Sequence, residues 1–366
     1  MSKKIRKYNA IIIGGGIFGL YAAQVLSSKG LKVAVLEKEK EIFERASKIN
    51  QARVHRGYHY PRSLETARKT ANYYNRFCND FSFAILKPFK QYYAISKENS
   101  KTSPEEYIRF CRKVGIPLKE VSRSLFFQED RVDVVFEAEE ACFDYAKLKE
   151  YFLNQLSNNK NIDIYYQNFP TAQKVSDSKY VLTLKDASLL EAPLIVNATY
   201  SNVNEINKMF GFNGYDIKYE LCELKICKMN NGFSGIGLTV MDGPFFSLMP
   251  FGDGSIYSLS SVSFTPLNTS YTKPQNINGI RAKPDDKRAE SLARSYLKKN
   301  IDFEYLNSIF EVKPILMSSE KDDSRPTLIT IHSQNPYYMS ILAGKISTIY
   351  DMEDSLKQLI GGLGVS

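Results

Sequence analysis

Residues 8–41 read YNAIIIGGGIFGLYAAQVLSSKGLKVAVLEKEKE, and no other stretch restricts the fold so strongly. NAIIIGG is a short, continuous apolar run, the pattern of a strand buried on both faces of a parallel sheet. It stops at Gly14-Gly15-Gly16-Ile17-Phe18-Gly19, which fits G-x-G-x-x-G. Gly14 allows the tight turn, Gly16 lets the backbone approach a pyrophosphate, and Gly19 lets a helix pack close to the strand. LYAAQVLSSKG then reads as that helix, with Leu20, Ala23, Val25 and Leu26 largely inward and Gly30 at its C-terminal end. Its N-terminus offers N–H groups and the positive end of the helix dipole to phosphates. KVAVLEKE reads as the second strand and ends at Glu37. A carboxylate there accepts hydrogen bonds from a ribose diol and repels a 2′-phosphate, so FAD or NAD fits better than NADP. Phe18 and Lys38, beside these residues, are counted with the expected nucleotide contacts. The glycines alone are a weak signal. Strand, glycines, helix, strand and acid in this order specify an α/β dinucleotide-binding fold, but leave FAD and NAD unseparated.

The chain has 366 residues, of which 43% are hydrophobic. That is enough for two structural units. Mean hydropathy is −0.32, and no apolar run has the length of a bilayer span, so no integral membrane segment is expected. The start, MSKKIRKY, is basic, but the apolar run after it is broken by glycines. It reads as a strand rather than a signal peptide, and a cytoplasmic protein is expected. The five cysteines, Cys78, Cys111, Cys142, Cys222 and Cys227, are scattered and form no C-x-x-C pair. Neither a disulfide framework nor a metal site is indicated. Net charge is +9, which suits an anionic partner. However, the lysines alternate with glutamates and no Arg/Lys-rich tract occurs. The excess reads as a solvated surface, with an anionic small molecule as the second reading and no nucleic-acid partner expected.

The following stretch, ERASKINQARVHRGYHYPRSLETARKTANYYNRF, separates the two cofactors by resemblance. It resembles the D-amino acid oxidase superfamily of FAD-dependent oxidoreductases, with local likeness to the L-2-hydroxyglutarate dehydrogenase/oxidase branch. Ala46-Ser47 matches the family's Ala-Ser pair, which meets the FAD pyrophosphate. Asn50, His55 and Gly57 match an Asn-x-x-x-x-His-x-Gly stretch that passes the flavin ring, and Tyr58, His59 and Tyr60 continue the likeness. EACFDYAKLKEYFLNQL (residues 140–156) looks like the helix before the adenine-side strand, here NIDIYYQ. APLIVNATYSN looks like the strand that returns under the FAD, which usually ends in Asn-Ala-x-Gly. Here Asn197-Ala198-Thr199-Tyr200 puts a tyrosine where the family has glycine. Ala198 and Thr199 are carried over as cofactor contacts. Near the C-terminus, Arg325-Pro326 matches an Arg-Pro pair, and Ala343-Gly344-Lys345 matches the entry to the last helix, with fewer glycines than usual. Gly344 and Lys345 are carried over as cofactor contacts too.

The resemblance implies a Rossmann-like FAD-binding domain of the glutathione-reductase type, interleaved with an antiparallel-β substrate domain. The FAD domain is expected to comprise residues 1–85, 138–215 and 315–366, and the substrate domain 86–137 and 216–314. FKQYYAISKEN and VDVVFEAEEA alternate as strands do, with SPEEYIRFCRKVG as a helix between them. The long segment from YDIKYELCELKICKM onward is rich in β-branched and aromatic residues. Gly252-Asp253-Gly254 reads as a hairpin turn within it. KPDDKRAESLARSYLKKN reads as an exposed helix.

The chemistry expected is flavin-dependent oxidation of a C–N or C–OH carbon in a small, anionic substrate: an amino acid, a hydroxy acid or an acidic sugar derivative. The electron acceptor is oxygen or another molecule. Nucleophile-elbow, metal-ligand and Walker patterns are absent, so catalysis rests on the cofactor. The chain has three histidines: His55, His59 and His332. A neutral histidine can take the substrate N–H or O–H proton, and the resemblance puts His55 beside the flavin. Some relatives bond a histidine covalently to it. The plainer alternative is a packing histidine. Arg325 is the candidate for a substrate carboxylate, held by its guanidinium fork, against a surface or capping arginine. Arg53, Arg56 and Arg62 flank the flavin segment and are not separable by sequence. Lys345 at a helix start suits the negative charge of a reduced flavin, against a solvated lysine. The competing functions are an FAD-dependent modifier of RNA or of a carrier-bound sugar, and a non-catalytic FAD-binding protein.

Overall fold

A computed structural model describes residues 4–230, 232–283, 285–320 and 322–363. Met1, Ser2 and Lys3 of the basic start, and Pro284 of the expected exposed helix, lie outside the described residues. The chain divides into two compact units: Met1–Ser47, Lys149–Ile217 and Pro326–Ser366 form one, Lys48–Leu148 and Lys218–Arg325 the other. Residues 48–85, 138–148 and 315–325 were grouped by sequence with the FAD domain and pack in the second unit. The divisions answer different questions, since compact units follow packing and cofactor domains follow ligand contacts.

Among the described residues the first unit is built on a six-stranded sheet. Its order is Leu328–Gln334, Tyr337–Leu342, Leu194–Asn197, Ala10–Ile13, Val33–Leu36 and Ile162–Tyr165. All neighbours run parallel except the antiparallel edge strand Leu328–Gln334. Ala10–Ile13, Val33–Leu36 and Leu194–Asn197 are buried throughout, as expected of parallel strands covered on both faces. The helix Ile17–Ser27 follows the glycine turn, and the C-terminal helix Met352–Gly362 packs against it. Between these helices the Tyr21 and Tyr350 rings meet edge-on at 5.6 Å. A four-stranded sheet, Ile5–Lys7, Leu189–Ala192, Lys179–Leu184 and Pro170–Ser176, adds a second layer. Its Leu182 and Leu190 join Ile11, Ile13, Ala34 and Leu36 in one core cluster.

Among the described residues the second unit is built on a nine-stranded sheet. Eight strands run in the order Pro266–Ser270, Ile217–Met229, Ile256–Ser261, Phe246–Phe251, Ile236–Met241, Lys90–Ser96, Val132–Ala138 and Leu118–Val121, and Phe303–Leu316 pairs with Ile217–Met229. Along those eight strands neighbours run antiparallel, except that Lys90–Ser96 runs parallel to Ile236–Met241. The hairpin at Gly252-Asp253-Gly254 joins Phe246–Phe251 to Ile256–Ser261 as expected. The helix Pro104–Val114 is fixed by a capping box between Ser103 and Glu106, with Pro104 opening it and Gly115 closing it in the left-handed region.

Two helices differ from their sequence reading. The helix expected from residue 140 starts at Tyr145, because Ala141–Cys142 pairs with Arg53–Val54 as a short antiparallel ribbon. Asp144 then caps it, its carboxylate accepting the Ala146 N–H at 2.8 Å. The helix expected to be exposed is Arg288–Tyr296, and it buries Ala289, Glu290, Ala293 and Tyr296. Spacing of three and four residues gives it an inward face. Glu290 is tolerated on that face because Lys225 pairs with it at 3.1 Å.

Candidate functional site

The glycine turn lies at the C-terminal edge of the parallel sheet. Ile13 is in register with Leu36 on one side and Asn197 on the other. Gly14, Glu37 and Ala198 therefore emerge side by side, where open α/β sheets bind ligands. Gly14 has φ +112°, and a Cβ there would lie 2.5 Å from the Ala198 carbonyl oxygen. A Cβ on Gly19 would run into the Gly14 carbonyl, and one on Gly16 would lie 3.0 Å from Ser47 Oγ. The cradle has no room for a side chain at Gly14 or Gly19, and at Gly16 only if Ser47 yields. Ser47 Oγ accepts the Ile17 N–H at 2.9 Å, at the first turn of the helix. Glu37 is buried; one carboxylate oxygen accepts the Gly15 N–H at 2.7 Å and the other the Glu39 N–H at 2.8 Å. Burial raises its carboxyl above the usual range, opposed by those two N–H groups. Each oxygen keeps a lone pair for a further donor. Phe18 is buried and Lys38 exposed.

The other expected contacts in this unit share the same edge. Thr199 donates its hydroxyl to Asn197 Oδ1 at 2.7 Å. The Asn197 amide, buried, donates to the Val203 carbonyl and Asn207 Oδ1. Tyr200, where the resemblance expects a glycine, holds φ +52° in the left-handed region. Beyond Leu342, the Gly344 N–H donates to Thr327 Oγ1 at 2.9 Å. Lys345 precedes the 3-10 turn Ile346–Asp351, which runs into the last helix. Ser347 Oγ, buried in that turn, has no hydrogen-bond partner among the described residues. The glycine cradle, the buried carboxylate with acceptor capacity and this unpaired hydroxyl all fit a bound dinucleotide.

His55, Asn50 and Arg325 lie in the second unit. Asn50 uses Oδ1 to accept the Ala52 N–H at 2.6 Å. His55 is buried, with Nδ1 3.5 Å from Glu140 Oε1. Its ring centre is 5.4 Å from that of His59 and 5.2 Å from that of Tyr60. Glu140 is fully enclosed, accepting the Arg56 N–H at 3.1 Å and the Tyr93 hydroxyl at 2.7 Å. Arg53 is buried too. It donates to the Tyr93 oxygen at 2.6 Å and to Thr239 Oγ1 at 2.8 Å, and its Nη1 lies 3.7 Å from Glu140. Burial opposes its charge, but Tyr93 and Glu140 outweigh that effect and hold the guanidinium above its usual range.

Arg62 pairs with Asp242 at 2.8 Å and Asp323 at 2.5 Å. Arg325 shares Asp323 at 2.9 Å and donates to the Ser324 carbonyl at 2.6 Å. Its fork is thus partly engaged within its own loop. The charge of Arg325 also reaches the buried Tyr60 phenol, whose ionisation is disfavoured first by burial. Lys313 stands nearby on Phe303–Leu316; burial, then the charge of Arg325, holds its amine below the usual lysine range. The sequence reading missed Glu140, Tyr93, Thr239 and Lys313. Glu140 sits at the end of an alternating run, VDVVFEAEEA, where alternation gives no hint that one carboxylate is buried against an arginine. His332 belongs elsewhere: it is in the first unit, 2.7 Å from Ser340 Oγ.

A glycine cradle at a parallel-sheet edge, with an acid after the second strand, defines a dinucleotide-binding α/β protein. Residues 9–297 match the model of the FAD dependent oxidoreductase family, DAO, and the chain belongs to that family. Its cofactor is FAD. Over 365 residues it is 24% identical to the FAD-dependent monooxygenase FPY4 of Fusarium mangiferae, covering 95% of this chain and 90% of that protein. A shorter match, 39% over 67 residues, is to the mitochondrial L-2-hydroxyglutarate dehydrogenase of Caenorhabditis briggsae, covering 18% of this chain and 15% of that protein. The FAD-bound L-α-glycerophosphate oxidase of Mycoplasma pneumoniae superposes with a TM-score of 0.77 at 15% identity, over 99% of this chain and 96% of that one. Among the described residues no helix is long and apolar enough to cross a membrane, and no group of His, Cys, Asp and Glu is placed to hold a metal ion.

Glu37→Arg is expected to lower flavin occupancy several-fold, because a cation replaces a buried carboxylate beside the glycine turn. The 450 nm to 280 nm absorbance ratio of the purified protein measures this, and an equally yellow variant would remove Glu37 from the cofactor contacts.

Proposed function

We propose that the protein oxidises a C–OH or C–N carbon of a small, anionic substrate, with an alcohol-bearing acid as the leading case. The observation that carries this reading is His55, buried beside Glu140 in a cluster that also holds Arg53, Tyr93, His59 and Tyr60. FAD, when bound, accepts a hydride from a substrate carbon. Gly14, Gly16, Gly19, Glu37, Ser47, Ala198, Thr199, Gly344 and Lys345 hold the cofactor, with Phe18, Lys38 and Asn50 as further contacts. His55 takes the substrate O–H or N–H proton as general base. Arg325 binds the substrate's anionic group. Lys345 supplies positive charge that favours the reduced, anionic cofactor. The electron acceptor is oxygen or another small oxidant.

The local likeness to a 2-hydroxyglutarate dehydrogenase supports the hydroxy acid over the amine. The relative matched along nearly the whole chain is named a monooxygenase, which supports a second reading in which oxygen is inserted into the substrate. Anaerobic titration with hydroxy and amino acids separates the two. Substrate alone bleaches the flavin in the first reading; the second needs an external reductant. Arg325→Ala is expected to raise KM for acids by a charge-assisted hydrogen bond's worth, about 1.5–3 kcal/mol, with less effect on neutral analogues. Equal losses for both would reject the arginine as the anion site.

A further inference from the structure

Within the second unit, we infer that Asp323 is a specificity-determining residue of the anion site: its carboxylate occupies the Arg325 fork, so an acidic substrate binds by exchange, displacing Asp323 onto Arg62. This deepens the proposed function and rests on Arg325 being the anion site.

Asp323 lies two residues before Arg325, and its two oxygens are divided between two arginines. Oδ1 accepts from Arg325 Nη2 at 2.9 Å, and Oδ2 from Arg62 Nη2 at 2.5 Å. Arg325 Nη1 donates to the Ser324 carbonyl at 2.6 Å. Both terminal nitrogens of the fork therefore meet oxygens of their own loop, and those nitrogens are the ones a carboxylate engages in pairs. The charges cancel as well. Arg62 and Arg325 are matched by Asp242 and Asp323. An acid approaching with Asp323 in place meets no net charge from these four groups. Once Asp323 leaves the fork, the Arg325 guanidinium is available to it.

The exchange asks for a side-chain rotation rather than a loop movement. The Arg325 N–H donates to Thr66 Oγ1 at 3.3 Å, Ser324 Oγ to Ser319 Oγ at 2.9 Å, and the Ser324 N–H to Asp322 Oδ1 at 2.9 Å. These bonds hold the backbone beside Asp323. The Asp323 side chain itself is 53% exposed, against 17% for Arg325. When Oδ1 lets go, Oδ2 keeps Arg62, which Asp242 fixes at 2.8 Å. The contact being broken is weak, because water competes for a half-exposed pair. It also adds little to the fold, since partners two residues apart close no long loop. A substrate carboxylate replaces it with a bond of the same kind. A neutral analogue has no charge with which to displace Asp323, so the occupied fork discriminates against it.

The test is binding of acetate and malonate to the FAD-loaded protein, followed by perturbation of the flavin spectrum or, where that is silent, by titration calorimetry. Asp323→Asn keeps the size of the side chain and removes its charge. It is expected to lower both Kd values by about two- to five-fold, the worth of a half-exposed ion pair. A carboxylate that merely braced the loop would give the opposite sign, since losing a brace does not tighten binding. In an Arg325→Ala background the same substitution is expected to change nothing, because the two act as one unit. Asp322→Asn is the control for overall charge: its carboxylate accepts the Ser324 N–H and is not on the fork, so a smaller gain is expected. Equal gains from Asp322→Asn and Asp323→Asn overturn the exchange. Weaker or unchanged acid binding in Asp323→Asn overturns it too, as does a failure of both acids to bind any variant. Should Asp323→Asn fold poorly, Asp323→Ala carries the same comparison. If Arg325→Ala leaves acid binding intact, the anion-site reading itself fails. If Arg325→Ala weakens binding while Asp323→Asn does not strengthen it, the exchange alone fails.

Discussion

His55→Ala slows anaerobic flavin reduction by about 10²–10⁴-fold, the usual contribution of a general base, while substrate binding persists. Stopped-flow bleaching at saturating substrate measures the first, and perturbation of the oxidised flavin spectrum measures the second. The logic is local. Hydride leaves a carbon readily only when the attached heteroatom loses its proton, and around His55 the other candidate groups are committed elsewhere. Carboxylates Glu140, Asp242 and Asp323 are all engaged by arginines. Burial pushes Tyr60 and Tyr93 above the ordinary phenol range, so neither serves as a base near neutral pH. His59 Nδ1 lies 3.4 Å from Arg53 Nη1. His59→Gln is therefore expected to cost much less than His55→Ala. Reduction rates unchanged in His55→Ala would exclude the base role and return the residue to packing.

How far the sequence reading reached follows from what each signal encodes. The nucleotide cradle was legible because its requirements are backbone requirements. A turn with φ +112° at Gly14 and a close backbone approach at Gly19 can be met only by residues without side chains, and such positions show in sequence. Glu37 was legible because a strand fixes its distance from the turn. Tyr200 shows the limit of the same reasoning: a left-handed position was met without glycine, and resemblance alone marked it as unusual. The β-rich portion was legible as antiparallel strands, but not the parallel pairing of Lys90–Ser96 with Ile236–Met241, which joins segments far apart in the chain. The polar cluster was hardest. Arg53, Arg56 and Arg62 look alike in sequence. The structure buries Arg53 against Glu140, leaves the Arg56 side chain with Glu139, and pairs Arg62 with Asp242 and Asp323. Those choices depend on partners 80 to 260 residues away in the chain, which no local pattern records.

The second large effect is on stability. Arg53→Leu is expected to destabilise the second unit by about 3–5 kcal/mol, because it leaves the enclosed Glu140 carboxylate without its counter-charge. Glu140 keeps the Tyr93 hydroxyl and the Arg56 N–H as donors, which offsets part of the loss but supplies no positive charge. Thr239 and the Tyr93 oxygen each lose a donor as well. For a unit of this size the thermal midpoint is expected to fall on the order of 10 °C, read by far-ultraviolet circular dichroism of the FAD-loaded protein. Arg53→Leu combined with Glu140→Gln discriminates between lost packing and an unpaired charge. If the charge is the cause, the double variant is less destabilised than Arg53→Leu alone, since nothing ionised is left buried. Additive losses would instead assign the effect to packing around Thr239 and Tyr93. A cluster in which arginine and glutamate cancel costs stability to assemble and is often replaceable by apolar residues. A double variant as stable as the unaltered protein would place this pair in that class.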